Sequence, residues 1–70
     1  MLNQITMKAA RVNAGLTQKE MANLLHRTNN TVMAWEKGHK MPRADEFQRY
    51  CEICGVETSD VLLPKVLEKN

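Results

Sequence analysis

The chain has 70 residues, of which 43% are hydrophobic and 26% are charged, and its formal net charge is +2. This length fits one small domain, so we expect a single domain over residues 1–70 with its core at about 5–63. We expect no enzymatic activity, because one small core leaves no cleft between layers. No segment approaches the ~18 consecutive apolar residues of a membrane span and no signal-peptide pattern opens the chain, which favours a cytoplasmic protein without membrane contact.

The charge is distributed unevenly along the chain. Residues 1–43 carry seven Lys or Arg against two acidic residues, a net charge of +5, whereas residues 44–70 carry three against six, a net charge of −3. A basic segment of this kind attracts a polyanion such as a nucleic acid. Two solvated faces of different charge are the alternative, and charge alone does not decide between them.

The spacing of apolar residues predicts an all-α fold. They recur at intervals of three and four between Gly and Pro residues, without the alternation of a strand, which indicates a compact bundle of four to five short helices. The first helix is predicted over about residues 3–14, and Gly15 is placed to end it in a left-handed conformation. Two inward stripes fit this helix, namely Met7, Ala10 and Ala14, or Ile5, Ala9 and Val12.

The second helix has a clear start. Thr17 and Glu20 have the spacing of a capping box, in which each side chain accepts a hydrogen bond from the backbone N–H of the other residue. Leu16 and Met21 flank this cap with the spacing of a hydrophobic staple. The predicted apolar face of the helix comprises Met21, Ala22, Leu24 and Leu25.

The third helix is predicted between Thr28, a residue type favoured at the N-cap, and Gly38. Val32 and Trp35 share its inward face. The opposite face is low in charge and contains short amides, which are poor helix formers, so stability alone does not explain it. This face presents Asn29, Asn30, Met33 and Ala34.

The basic connection "HKMPR" leads to a fourth helix, predicted over about residues 44–54, and Gly55 is placed to stop it. Thr58 or Ser59 is then expected to cap a short last helix that carries Val61 and Leu62. The inward positions of the fourth helix are Phe47, Tyr50, Cys51 and Cys54.

The second and third helices are separated by only about three residues, which is the dimension of a helix-turn-helix, here at about 18–37. In that motif the N-terminal part of the second helix enters the major groove of DNA. Asn pairs with adenine through two hydrogen bonds, and Met and Ala methyl groups contact the thymine methyl. Asn29, Asn30, Met33 and Ala34 are therefore candidate base contacts, although capping and local backbone bonding are the alternative role of the two asparagines.

Several segments together resemble the lambda-repressor and Cro-like helix-turn-helix family, also called the xenobiotic-response-element family. They are "GLTQ" at residues 15–18, Ala22, Val32, "WEKG" at 35–38 and "GV" at 55–56, and their combined spacing is more specific than any one of them. The resemblance covers about residues 5–63. It implies a DNA-binding transcriptional regulator of prokaryotic or phage type, and we expect a repressor.

The resemblance also implies roles for individual residues. Gln18 matches a glutamine that contacts a phosphate and braces the recognition helix, and Arg11 and Glu36 match a buried or half-buried ion pair that ties the first helix to the third. Ala22 matches the crossing of the second and third helices, where a larger side chain would push them apart. The complete set of candidate contacts to the DNA backbone, for which simple solvation is the alternative, is Gln18, Lys19, Arg27, Thr31, Lys37, Lys40 and Arg43.

Two residues of the turn depart from the family pattern. The family usually has glycine at the position of His26 and an apolar residue at that of Arg27. His is enriched among the non-Gly residues found at positive φ, so we expect His26 to adopt the left-handed conformation at a cost of ~1 kcal/mol relative to Gly. The segment therefore predicts a helix-turn-helix with an atypical, polar turn.

We expect a homodimer that binds a palindromic operator in double-stranded DNA, with half-sites about one helical turn apart, and no cofactor or small-molecule ligand. An antitoxin, a restriction-modification controller or another protein-interaction adaptor with the same fold is the alternative. The expected dimer surface comprises Val56, Val61, Leu62, Val66 and Leu67.

Cys51 and Cys54 form a C-x-x-C motif, which is compatible with redox chemistry or with metal binding. The redox interpretation lacks the β-α-β context that it needs, and a zinc site lacks further ligands at suitable spacing. Because both residues fall on inward positions of the fourth helix, we expect them to pack as reduced thiols and no metal to be bound.

Overall fold

Four α-helices and one short 3-10 helix make up residues 4–64, which are the residues that the computed structural model describes. The helices are α1 (Met7–Asn13), α2 (Gln18–Leu25), α3 (Asn29–Lys37) and α4 (Ala44–Cys54), and the 3-10 helix spans Thr58–Asp60. The predicted all-α fold is confirmed. In this described part, no helix has the length and apolarity needed to cross a membrane.

Helix α1 begins later than its apolar spacing predicted. Thr6 caps it, because its side chain accepts the backbone N–H three residues later at 3.0 Å. Ile5 is extended and forms an isolated parallel bridge with the segment after the 3-10 helix: its N–H donates to the Asp60 carbonyl at 2.9 Å, and its carbonyl accepts from the Leu62 N–H at 2.8 Å. The predicted start near residue 3 is therefore wrong, since this contact distant in sequence holds Ile5 in an extended conformation outside the helix.

The core settles which stripe of α1 faces inward. Met7 and Ala10 are buried, whereas Val12 is 55% exposed, so within α1 the first of the two predicted stripes faces the core. Ile5 of the second stripe also packs against the core, but from the extended segment before α1. Ala14, the third member of the packed stripe, is exposed because it already lies at the C-cap. Gly15 follows with φ +77°, as predicted.

Helix α2 starts as predicted. The Glu20 N–H donates to Thr17 Oγ1 at 3.1 Å and the Thr17 N–H donates to Glu20 Oε1 at 2.9 Å, so both bonds of the capping box form. The predicted apolar face is wrong at Leu24, which is 46% exposed. Helix α2 packs against α3 and α4 through a narrower stripe centred on Met21 and Ala22.

A single hydrophobic cluster lies between the helices, and Trp35 and Tyr50 are the largest side chains within it. The prediction that Trp35 belongs to the core is confirmed. On α4, three of the four predicted inward residues are buried, and Cys54 is half-buried. The cluster comprises Met7, Ala10, Met21, Ala22, Val32, Trp35, Phe47, Tyr50, Cys51 and Val61.

The end of the described chain differs from the prediction. The 3-10 helix stops at Asp60, is preceded by Glu57 at its N-cap without a side-chain cap bond, and does not carry Val61 or Leu62. Val61 lies in the bridge to Ile5 and is only 3% exposed, so it is wrongly included in the expected dimer surface. The expected contributions of residues 66 and 67 lie outside the described residues.

Candidate nucleic-acid interface

The turn between α2 and α3 is built around His26. This residue has φ 56° and ψ 40°. Among residues 4–64 it is the one residue other than glycine that has a positive φ. The Arg27 N–H donates to the Ala22 carbonyl at 2.9 Å and the His26 N–H donates to the Asn23 carbonyl at 3.2 Å, which closes the end of α2. Thr28 then caps α3 by accepting the Thr31 N–H at 3.2 Å. The predicted left-handed conformation of His26 is confirmed.

The inner face of α3 anchors this helix in the core. Val32 is fully buried and Trp35 is 2% exposed, and both belong to the same cluster as Ala22 of α2. Ala22 is itself 2% exposed, so a longer side chain there has no free space and would force α2 and α3 apart. The orientation of α3 therefore follows from close packing.

The opposite face of α3 is directed to solvent at its N-terminus. Asn29 and Asn30, the first two residues of the helix, are exposed, while Met33 and Ala34 are half-buried. Thr31 is also half-buried, and its hydroxyl lies 2.9 Å from that of Thr28. Asn29 and Asn30 are thus free to contact another molecule, whereas Thr31 already has a partner within the cap.

Exposed basic side chains lie on the elements that precede and follow this face in the chain. Lys19 is exposed on α2, Lys37 is exposed in the last turn of α3, and Lys40 and Arg43 are exposed in the connection that follows. Within residues 4–64, the three lysines form no ion pair, and Arg43 approaches Asp45 at 3.5 Å with both side chains more than 70% exposed. An exposed pair of this kind contributes little to stability, so these cations are available to an external anion.

Arg27 is arranged differently from the other basic candidates. Its Nη1 lies 3.0 Å from Glu46 Oε2, and its guanidinium stands over the Trp35 ring at 5.9 Å from the ring centroid. Glu46 Oε1 accepts the Arg43 N–H at 3.1 Å, so one carboxylate joins the turn to the start of α4. The guanidinium of Arg27 therefore contacts both the core residue Trp35 and the start of α4.

The carboxylate of Glu36, near the end of α3, is bound by groups from the other three α-helices. Arg11 of α1 donates through Nε to Oε2 at 2.7 Å and through Nη2 to Oε1 at 3.0 Å. Gln18 of α2 donates to Oε1 at 3.1 Å, and the Tyr50 hydroxyl of α4 donates to Oε2 at 2.7 Å. The side chains of Arg11 and Glu36 are only 8% and 2% exposed, so the pair implied by the resemblance lies inside the protein.

The pKa values around this carboxylate have clear causes. Burial by itself raises the pKa of the Glu36 carboxyl, but the hydrogen bonds from Arg11, Gln18 and Tyr50 outweigh it and hold the pKa below its ordinary value of 4.5. Burial and the bond to Glu36 raise the pKa of the Tyr50 hydroxyl. Glu36 is therefore ionised and Tyr50 is a neutral donor at neutral pH.

Gln18 lies between the buried carboxylate of Glu36 and the protein surface. Its amide nitrogen is bound to Glu36, but the residue is half-exposed at the first position of α2. An amide NH2 group carries two hydrogens, so the bond to Glu36 leaves one for another acceptor.

Sequence reasoning missed the structural parts played by Tyr50 and Glu46. Tyr50 was expected only as an inward residue, and its hydroxyl bonds Glu36, 14 residues earlier, and the Met7 carbonyl, 43 residues earlier. Helical spacing predicts which face is buried but not which polar groups meet there. For Glu46 a local signal existed, since it lies three residues after the N-cap residue Arg43, where a carboxylate caps the first turn.

The two cysteines lie on α4, where Cys51 is buried and Cys54 is half-buried. Burial raises the pKa of the Cys51 thiol, and burial with the neighbouring Cys51 raises the pKa of Cys54 to about 11. Reactive cysteines have lowered pKa values, so both thiols behave as packing groups. Among residues 4–64, no three potential metal-binding side chains come together.

Comparison with known proteins gives one positive result. A family model described as helix-turn-helix matches residues 7–61, which includes all four α-helices and the 3-10 helix. No curated protein and no solved structure matches the chain.

Proposed function

The chain belongs to the lambda-repressor and Cro-like family of DNA-binding helix-turn-helix regulators, and from this we propose that it is a sequence-specific repressor that places α3 in the major groove of its operator. One observation carries the proposal: two exposed asparagines, Asn29 and Asn30, begin a helix whose other face is anchored by buried Val32 and Trp35. A rigid helix with free amides at its N-terminus has the form that base contacts in the major groove require.

We assign the base contacts to that exposed face. The amides of Asn29 and Asn30 match the adjacent donor and acceptor of adenine, and the methyl groups of Met33 and Ala34 match the thymine methyl. Because Met33 and Ala34 are half-buried, their contacts depend on a close approach of α3 to the groove floor. Base preference is therefore expected to depend most on the two asparagines.

We assign backbone contacts to groups that flank α3. Gln18 offers an N–H at the start of α2, and Lys19, Lys37, Lys40 and Arg43 offer exposed charges. The Thr31 hydroxyl can donate to a phosphate while it accepts from the Thr28 hydroxyl, which lies 2.9 Å away. Contacts of charged residues to phosphates release counterions, so affinity falls steeply as salt rises.

Arg27 is a weaker candidate for a backbone contact than the other cations. It already pairs with Glu46 at 3.0 Å and covers Trp35, and a phosphate contact would break the pair with Glu46. We therefore propose that Arg27 chiefly holds the turn against α4.

We further propose that two copies bind one palindromic site, and that they meet at an apolar groove beside α4. The groove has a volume of about 810 Å³, and exposed Met41 and Leu63 contribute to its lining. A two-fold axis through the groove would place this apolar surface of one copy against the same surface of the other, which is the arrangement of a symmetric dimer.

The proposed function is tested by selecting binding sites from random duplex DNA and measuring binding at several salt concentrations. We expect an enriched palindrome with half-sites about one helical turn apart. Asn30→Ala is expected to relax base preference in the enriched site, whereas Lys40→Ala should weaken binding to all duplexes and flatten the salt dependence. Absence of any enriched sequence would contradict a sequence-specific regulator.

A further inference from the structure

Tyr50 is a fully buried member of the Glu36 network and is not accessible to a ligand. Its side chain is fully buried in α4, and its hydroxyl lies 2.7 Å from Glu36 Oε2 and 2.8 Å from the Met7 carbonyl oxygen. A phenol has one hydrogen to donate, and a bond to a carboxylate is stronger than one to a neutral carbonyl. The hydroxyl therefore acts mainly on Glu36.

The two oxygens of Glu36 divide their partners between helices. Oε2 accepts from Tyr50 and from Arg11 Nε, each at 2.7 Å, and Oε1 accepts from Gln18 at 3.1 Å and from Arg11 Nη2 at 3.0 Å. Because a carboxylate is a rigid planar group, the direction in which Tyr50 and Arg11 hold Oε2 also determines where Oε1 lies. Tyr50 thus acts on the position of the Gln18 amide without touching it.

Gln18 is the point at which this network reaches the surface. It is half-exposed at the first position of α2, and one hydrogen of its amide nitrogen is used by Glu36. The remaining hydrogen of the same NH2 group is fixed in direction by that bond. A preorganised donor binds an anion with a smaller loss of side-chain entropy than a freely rotating one.

We propose that the Tyr50 hydroxyl is a positioning residue for DNA binding: acting through Glu36, it holds the Gln18 amide in the orientation that donates to a phosphate. This inference rests on the DNA-binding function proposed above, and it adds to that function a buried group on α4 that cannot contact DNA.

The test compares Tyr50→Phe, Gln18→Ala and the double variant with the unaltered protein. The probe is a duplex with the sequence enriched by selection, or a mixed-sequence duplex if none is enriched, at a temperature where each protein is folded. Tyr50→Phe is expected to raise Kd about three- to tenfold with the salt dependence unchanged, because the contact that it weakens carries no net charge. In the Gln18→Ala background, the same change should have little further effect.

Ile53→Val is the matched control. Ile53 is half-buried on α4, packs against the core and makes no bond to Glu36, so its shortening loosens the same helix without altering the network. An increase in Kd with Tyr50→Phe no larger than with Ile53→Val, or equal in the presence and absence of Gln18, would overturn the inference. If the unaltered protein binds neither duplex, the proposed function itself fails, and the inference with it.

A second measurement avoids substitution of Tyr50. The chain contains one tyrosine, so biosynthetic 3-fluorotyrosine labels this position alone. We expect its ¹⁹F resonance to shift when the duplex saturates the protein, and the shift to disappear in Gln18→Ala. A shift of the same size in Gln18→Ala would refute the inference even if Tyr50→Phe failed to fold.

Discussion

His26 allows α2 to turn into α3 without a glycine. Its left-handed backbone, with φ 56°, costs a residue with a Cβ atom ~1 kcal/mol or more relative to glycine. The His26 side chain is exposed, so removing its ring costs the protein little packing energy. The closed end of α2 and the Thr28 cap hold the conformation in spite of this cost.

His26→Gly is therefore expected to stabilise the protein. Glycine relieves the backbone strain but increases the entropy of the unfolded chain, which leaves a net gain of about 0.5 kcal/mol, or about 2–4 °C in Tm for a domain of this size. Thermal unfolding followed by circular dichroism measures the change. Asn23→Gly, at an exposed position with helical backbone, is the control and should lower Tm; an unchanged or lower Tm for His26→Gly would contradict the explanation.

The negative charge of Glu36 pairs with the positive charge of Arg11 inside the protein. Its pKa is held below the ordinary 4.5 in the folded protein, so the folded state binds this proton less tightly than the unfolded state does. The stability that follows from this difference is fully present above pH ~4.5 and is lost as pH falls through the lower, folded pKa.

Glu36→Gln is expected to destabilise the protein by about 3–5 kcal/mol at pH 7, because it leaves the Arg11 charge buried and unpaired. The difference from the unaltered protein should shrink below pH ~4.5, where protonation removes the same charge. Urea unfolding at pH 7 and at pH 3.5 measures both effects. Glu52→Gln, an exposed carboxylate on α4, should have little effect at either pH; a Glu36→Gln deficit that stays constant with pH would contradict the assignment.

At the scale of secondary structure, α4 and the turn of the helix-turn-helix are held by one side chain. Glu46 accepts the Arg43 N–H through Oε1 and pairs with Arg27 through Oε2. It is half-buried and its partner covers Trp35, so the contact orders the turn as well as the start of α4.

We expect Glu46→Ala to cost about 1–2 kcal/mol, since it removes a cap bond and a partly buried ion pair together. Asp45→Ala removes the same charge from the neighbouring position, where the side chain is 74% exposed and 3.5 Å from Arg43, and should cost less than about 0.5 kcal/mol. Chemical denaturation of the two variants measures the contrast. Equal losses would mean that Glu46 acts only through net charge.

The differences between predicted and observed helices have one origin. Helices α2, α3 and α4 begin and end at residues with local capping chemistry, such as Thr17, Thr28 and Gly38. The start of α1 and the segment after the 3-10 helix are decided by the pairing of Ile5 with Val61. That pairing joins residues 56 positions apart, so no pattern in the local sequence predicts it.

For the whole molecule, the apolar groove beside α4 is the surface at which the proposed contact between two copies is tested. Its outer lining includes Met41, which is 50% exposed. If two copies meet there, a charge at Met41 places an unpaired ion in the apolar contact, which is costly. The same charge on another exposed apolar residue should be tolerated.

Met41→Asp is expected to shift the protein to monomer and to weaken binding to a duplex with two half-sites by more than tenfold, while binding to a single half-site changes much less. Sedimentation analysis and titration of both duplexes provide the measurements. Val12→Asp on α1 is the control, since Val12 is 55% exposed and the change in net charge is identical. A dimer that survives Met41→Asp would place the contact between copies elsewhere.

Features that depend on neighbours within one turn of a helix could be predicted from the sequence. Three residues separate Thr17 from Glu20, and both bonds of their capping box were predictable. The same holds for the left-handed turn at His26, because the short gap between two helical patterns requires it. These local features, with the inward faces of α3 and α4, are sufficient to predict the fold class and the helix-turn-helix.

Which polar groups meet inside the bundle depends on how the helices pack and could not be predicted from the sequence. Tyr50 and Glu36, Gln18 and Glu36, and Arg27 and Glu46 each come from different helices or from a turn and a helix. Whether two such side chains meet depends on the roll and crossing of packed helices, where a shift of about one ångström separates a hydrogen bond from no contact. Helical periodicity states which face is buried, and close packing of Ala22, Val32 and Trp35 determines how those faces are aligned.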